Sequence, residues 1–213
     1  MGRLDTTTAL SWIRAAADAI TAHEAELTEL DTAIGDGDHG ANLRRGFSTA
    51  ALAAERSAAA GQEPGAFLVD VGGALISSVG GASGPLYGTA LRAAGKALPG
   101  PDADTAALAA ALQAGLDALC RLGGAAVGDK TMVDAFAPAV TALQSAATDD
   151  LSQAALLAAD AAEAGMRATT PLRARKGRAS YLGERSIGHQ DPGATSTALI
   201  FRALADALTS DHA

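Results

Sequence analysis

The sequence predicts an all-α protein, one domain over residues 1–213 built as an up-and-down array of amphipathic helices. Three observations carry that prediction. Alanine dominates, aromatics make up only 3% and β-branched residues are sparse, so local preference runs to helix and strands have little to be made from. Apolar residues recur at three- and four-residue steps, the period of a helix with one buried face. With 48% hydrophobic content over 213 residues, the chain can bury a full core, near the upper size of one compact domain.

In chain order, Leu10, Ile13, Ala17 and Ile20 mark a first helix within Asp5 to Glu29, with a turn near His23 able to divide it. Further runs predict helices over Ala41 to Ala59, Pro64 to Ser78, Pro85 to Ala97, Asp104 to Arg121, Lys130 to Ala147, Leu151 to Thr169 and Ala194 to Leu208, eight helices in all. Ser83 with Pro85, and Asp129 before Lys130, read as helix starts, and Pro99, Gly100 and Pro101 as a break. Between helices, 80–84, 123–129 and 173–193 are glycine-rich or charged and belong in loops at the ends of the array.

The formal net charge of −8 disfavours a nucleic-acid surface, since phosphate backbones are held chiefly by lysine and arginine, while leaving room for a nucleotide at a locally basic point. Cys120 is the single cysteine, which excludes an internal disulfide and a cysteine-based zinc site and reads as a small buried residue of a reducing compartment. Met1 to Thr8 lacks a signal pattern and no stretch approaches a span of about 20 apolar residues, so the expectation is a cytoplasmic protein with no membrane partner.

Functional residues concentrate at the breaks. Leu30-Asp31-Thr32-Ala33-Ile34-Gly35-Asp36-Gly37-Asp38-His39-Gly40-Ala41-Asn42 places Asp31, Asp36 and Asp38 together between two helices. Oxygen-only ligands of high negative charge suit a hard cation, above all Mg²⁺ shared with phosphate oxygens. The letters Gly35-x-Gly37-x-x-Gly40 match a dinucleotide fingerprint, but no strand precedes them and aspartates between the glycines would repel a bare pyrophosphate. An EF-hand counted from Asp36 fails, with Gly40 at its fifth position and Phe47 at its twelfth. Taken singly, Asp36 or Asp38 reads more readily as a turn or N-cap residue; the whole string favours metal. His39, at a helix start beside the carboxylates, is placed to donate to a phosphate oxygen.

Two more segments suit phosphate. The turn Gly80-Gly81-Ala82-Ser83-Gly84-Pro85 leads into a helix whose first amides would converge on one spot; it is no Walker A loop, and Gly95-Lys96-Ala97 fails that pattern too. Arg173, Arg175, Lys176 and Arg178 gather in one loop of an acidic chain, ordinarily a solvated run but able to complete charge neutralisation beside magnesium and phosphate. Arg178 is preferred as the phosphate clamp, although charge alone does not select it over Arg175.

Together with Gly128-Asp129-Lys130-Thr131-Met132 and the run from Gly177-Arg178-Ala179-Ser180-Tyr181 through Asp191-Pro192-Gly193-Ala194, these motifs closely resemble the nucleotide-binding L subunits of bacterial dihydroxyacetone kinases, in the form dependent on the sugar phosphotransferase system. The resemblance spans nearly the whole chain. It implies a barrel of eight antiparallel helices with the nucleotide at one end. It implies Asp31, Asp36 and Asp38 as ligands of two Mg²⁺, and His39, Gly40, Ala41 and Asn42 as a nucleotide-contacting segment. Ala82 and Ser83 become the phosphate loop, Gly124 and Met132 walls of the adenine pocket, Arg178 the catalytic phosphate-binding arginine, and Asp191, Pro192 and Gly193 a closing loop.

The activity so implied is transfer of a phosphoryl group from bound ATP to dihydroxyacetone held covalently by a separate K subunit, after which bound ADP is rephosphorylated in place by a phosphohistidine on an M subunit. The free-standing length favours this multi-subunit form over single-chain kinases, and a homodimer is compatible with it. The rivals are a kinase subunit serving another ketose, a tetrose or a fatty acid, and a noncatalytic module that senses nucleotide.

Overall fold

The computed structural model describes residues 2–210, so Met1 and residues 211–213 of the expected domain lie outside them. Among the described residues are α1 (Thr6–Ala22), α2 (Glu24–Ile34), α3 (His39–Ala59), α4 (Pro64–Ser78), α5 (Ser83–Ala97), α6 (Thr105–Gly123), α7 (Val133–Ser145), α8 (Leu151–Ala168) and α9 (Pro192–Ser210), with a 3₁₀ segment over Arg178–Ser186. No strand forms among them; Leu4 and Ala103 exchange backbone hydrogen bonds of 2.8 and 3.0 Å as an isolated bridge.

The expected first helix is two. His23 ends α1 and begins α2, with φ −103° and ψ 13°, and both its backbone N–H and its ring Nδ1 turn back on the Ala19 carbonyl, at 3.0 and 2.8 Å. The extra helix does not enter the ring. Contacts run from α1 to α3 and on through α4, α5, α6, α7, α8 and α9, which returns to α1, while α2 lies against α3 and α9. Eight helices thus close on themselves around one core holding Trp12, Phe47, Phe67, Phe136, Phe201 and many alanines, as a barrel of eight requires.

Small residues set the closest approach in this ring. A Cβ on Gly65 would meet the Gly95 carbonyl oxygen at 2.6 Å and one on Gly72 the Gly88 carbonyl oxygen at 2.6 Å, with the reverse contacts as tight. Paired glycines at seven-residue spacing on each helix therefore bring α4 and α5 backbone to backbone in antiparallel register, and so fix the turn between them. By length and hydropathy α6 could cross a membrane, against the sequence expectation; here it packs between α5 and α7 with Leu108, Leu112, Leu116 and Leu119 buried, as a core helix.

Four helix starts differ from expectation by two residues or more. α3 begins at His39, α5 at Ser83 and α9 at Pro192, each two residues early. α7 begins late, at Val133, because Lys130 has φ +62° and cannot join a right-handed helix. Asp129 is not its cap: its carboxylate accepts from the Ala126 N–H at 2.9 Å, while the Val133 N–H donates to Thr131 Oγ1 at 3.1 Å.

Candidate functional site

Four connections meet at one end of the ring, α2–α3, α4–α5, α6–α7 and the long α8–α9 segment, and line a cavity of about 530 Å³. The acidic turn is folded from within. Asp31 sits buried in the last turn of α2, and its Oδ2 accepts from the N–H groups of Asp38 at 2.9 Å and His39 at 3.2 Å. Glycine is required at position 35, where a Cβ would collide with the Asp31 carboxylate, and Gly37 turns at φ +73°. One carboxylate oxygen from each of Asp31, Asp36 and Asp38 consequently lies within 4.8 Å of the others, Asp31 buried and the other two exposed. A hard divalent cation fits this set: all donors are oxygen, and the exposed side leaves room for water and phosphate ligands. Among the described residues the cation paired with them is Arg178, whose guanidinium donates to Asp36 Oδ2 at 3.0 Å.

His39 is buried behind the cluster, its Nδ1 3.3 Å from Ser83 Oγ and its Nε2 3.0 Å from Ser196 Oγ. Burial lowers its pKa, against the opposing fields of Asp31 and Asp38. Ser196 leads on to Tyr87, whose hydroxyl reaches Ser196 Oγ at 2.8 Å, Thr197 Oγ1 at 2.7 Å and the Gly193 carbonyl at 3.0 Å. Burial pushes this phenol well up, so it stays neutral. A buried polar chain thus ties the start of α9 to the Ser83 turn.

Most of the residues singled out in the sequence line the cavity: Asp31, Asp36, Asp38, His39, Asn42, Ala82, Ser83, Met132, Arg178, Asp191, Pro192 and Gly193. Asn42 Oδ1 accepts from Arg45 at 2.6 Å, which leaves its amide N–H groups for the cavity. Gly40, Ala41 and Gly124 do not line it. Gly40 is the contact of α3 with α2, where a Cβ would strike the Glu24 carbonyl and Thr28 Oγ1, and Ala41 is exposed. Gly124 caps α6 in the left-handed region (φ 60°, ψ 26°), and its neighbours Gly123 and Ala125 face the cavity instead. Apolar wall comes from Leu86, Leu119, Leu122, Met132 and Val133. The structure also separates the arginines: Lys176 and Arg178 line this cavity, whereas Arg173 and Arg175 line another of about 420 Å³.

Sequence reasoning passed over Lys130 and Asp134. Lys130 is buried at the cavity wall with its ammonium among backbone carbonyls, and burial lowers its pKa while Asp191 raises it. Asp134 accepts from the N–H groups of Gly128 at 2.5 Å and Thr131 at 2.8 Å, shaping the loop that carries Lys130. Asp191 is buried, its Oδ2 accepting from the Ala194 N–H at 2.7 Å; burial first, and then the field of Asp134, push its pKa up to about 7 against that hydrogen bond and Lys130. The available signal was a lysine directly after Gly128-Asp129, in a segment too irregular for the helix assigned to it.

Residues 33–206 match the model of the DAK2 domain. The chain belongs to the DAK2 domain family. It is 44% identical over 200 residues to the PEP-dependent dihydroxyacetone kinase 1, ADP-binding subunit DhaL, of Listeria innocua, covering 92% of this chain and 93% of that one. The corresponding Escherichia coli DhaL subunit is 42% identical over 205 residues, covering 95% and 97%. A D-erythrulose kinase of Mycolicibacterium smegmatis is 43% identical over 198 residues, which span 92% of this chain but 34% of that one. The C. freundii dihydroxyacetone kinase solved with AMP-PNP and Mg²⁺ superposes with a TM-score of 0.71 at 27% identity over 97% of this chain, which spans 34% of that kinase's length.

Proposed function

We propose that this chain is the ADP-binding subunit of a PEP-dependent dihydroxyacetone kinase, holding Mg²⁺ and ADP or ATP for phosphoryl transfer to a ketose on a separate K subunit and recharged by a phosphohistidine on an M subunit. The observation that carries the reading is the convergence of three carboxylates, Arg178 and the Ser83 turn on one cavity with an apolar wall, in a chain aligned nearly end to end with DhaL subunits.

Asp31, Asp36 and Asp38 would hold two Mg²⁺, which supply neutralisation of the phosphate charge. Ser83 and the first turn of α5 present donors to the phosphates, with Asn42 and His39 beside them. Arg178, which pairs with Asp36 here, would clamp the transferred group where cations took over that carboxylate. Leu86, Leu119, Leu122 and Met132 offer the apolar slot for adenine. Pro192 and Gly193 border the cavity at the start of α9, held there by Asp191 and Tyr87. The chemistry requires no protein nucleophile, only position and charge.

The test is nucleotide content. Protein purified in Mg²⁺, freed of loose nucleotide and denatured should release near-stoichiometric ADP, and an EDTA-treated sample should release none. Absence of ADP from the Mg²⁺ sample would shift the reading to an exchanging ATP-dependent kinase or a noncatalytic module. The likeness to a D-erythrulose kinase supports a second ketose as acceptor, so dihydroxyacetone and erythrulose should both be assayed with the K partner.

A further inference from the structure

The segment between α8 and α9 forms a lobe, residues 173–186, that brings Lys176 and Arg178 to the cavity. Its apolar anchor is small and separate from the main core: Ala174, Ala179 and Leu182 on Ile34 at the end of α2. The cavity of about 420 Å³ lined by Leu172, Arg173, Ala174, Arg175 and Ser180 opens beside that anchor. Polar contacts must therefore fix most of the lobe's position.

Lys130 supplies the central ones. It is 1% exposed, and its Nζ donates to the carbonyls of Ser186 at 2.6 Å, Leu172 at 3.1 Å and Thr170 at 3.4 Å. Thr170 and Leu172 belong to the stem arriving from α8, and Ser186 to the stem returning toward α9, so one ammonium crosslinks both. Around it the Gly188 N–H donates to the Thr170 carbonyl at 2.8 Å, the Ala174 N–H to Ser186 Oγ at 2.9 Å and the Arg175 N–H to the Asp129 carbonyl at 3.0 Å. Three acceptors occupy the three N–H donors of the ammonium, which leaves none for a phosphate, although Lys130 lines the cavity. Its backbone is the only non-glycine one at positive φ among the described residues, +62°. Glycine would adopt that conformation without strain, so the ammonium is what lysine adds there.

We infer that Lys130 is a positioning residue for the phosphate site: by clasping both stems of the lobe it holds Arg178 at the metal cluster, and so sets how long a magnesium nucleotide stays bound. The inference rests on the nucleotide reading above, and its experiment separates the two. Full-length wild type, Lys130→Met, Lys130→Arg, Arg178→Ala and the K130M/R178A double variant are compared by amide hydrogen exchange and by release of a fluorescent ADP analogue in excess Mg²⁺. K130M should speed exchange at Ala174, Arg175 and Gly188 while leaving α4 and α5 as in wild type, and speed ADP release by about 10- to 100-fold, the usual cost of losing a supporting contact. K130R, which keeps charge and donors, should recover much of both. On an R178A background K130M should add little, because the lysine acts through the arginine.

Unchanged exchange in the lobe, additive effects in the double variant, or global unfolding of K130M by circular dichroism would each overturn the assignment. Wild type that exchanges normally but binds no ADP would sink the functional reading and the retention half of the inference, leaving exchange to decide the clasp.

Discussion

Helices α6 and α8, which start away from the cavity, and α3 and α5, which start at it, are built by opposite rules. Asp104 and Asp150 accept from the N–H groups of Ala107 at 2.9 Å and Ser152 at 3.0 Å, and Asp5 does the same for α1. Neither Asp38 before α3 nor Ala82 before α5 makes a side-chain cap. Ala82 has no side-chain acceptor, and for Asp38 backbone conformation is the cause. Asp5 and Asp104 are extended, at ψ −175° and −177°, which aims the carboxylate back over the first turn, whereas Asp38 is already helical at ψ −7°. The same residue type thus caps a helix in one place and joins a carboxylate cluster in the other. Aspartate before a helix is ambiguous in a sequence, and the turn behind it, here Gly35 and Gly37 folding over Asp31, decides its use.

The sharpest way to break this contrast is to neutralise the cluster. Asp36→Asn with Asp38→Asn should abolish Mg²⁺-dependent ADP retention, a loss of about 100-fold or more, since these would be direct ligands rather than supporting groups. The fold should survive, because both side chains are exposed and removing like charge relieves repulsion. Calorimetric titration with MgADP reads the first effect and thermal melting the second; retained affinity would return both aspartates to the role of turn residues.

α9 is the exception that sharpens the comparison, since it starts at the cavity and is nevertheless capped, by Asp191. That cap is buried and its pKa is raised to about 7. A carboxyl whose folded pKa exceeds its unfolded one keeps a proton the unfolded chain has lost, so it removes stability as pH rises from about 4 to about 7. Compared with Asp191→Asn, the wild type should lose stability by on the order of 1 kcal/mol per pH unit across that window and run parallel above it. Urea unfolding at pH 5 and pH 8 measures this, and a difference independent of pH would mean that Asp191 is ionised throughout.

A contact at the end of the ring far from the cavity comes next. Gly95→Leu would force apart the backbones of α4 and α5 where Gly65 faces it, costing about 1–3 kcal/mol as overpacking does. Because these helices hold the Ser83 turn, ADP affinity should fall with stability. A destabilised variant of undiminished affinity would show that the turn is set by Tyr87 and His39 rather than by the helix pair.

Most of the ring was legible because its determinants are local: alanine-rich stretches, apolar spacing and the Pro64 and Pro99 breaks place α4, α5, α6 and α8 within a few residues. The carboxylate cluster was legible for the same reason, its members lying in one short string. What escaped depends on contacts between distant segments. Lys130 reads as a helix residue until the carbonyls of Thr170, Leu172 and Ser186 surround it, and nothing local distinguishes Arg178 from Arg175 until the lobe is packed on Ile34. The exclusion of Gly124 from the cavity wall follows from its left-handed capping of α6, a conformation that a second adjacent glycine, Gly123, made ambiguous.

The smallest effect tests the far side of the comparison. Asp104→Ala removes one exposed carboxylate that serves a single amide, and loss of such a cap costs about 1 kcal/mol, a fall in Tm of roughly 2–4 °C for a chain of this size. Because α6 runs from Thr105, just after its cap Asp104, to Gly123 at the cavity, the variant also asks whether fraying one terminus is felt at the other. Helix ends fray locally, so ADP release should keep its wild-type rate while Tm falls. Faster release in D104A, with the cap so far along the chain from Leu119 and Leu122, would mean that α6 moves as a rigid rod and that its capped and open ends act as one unit.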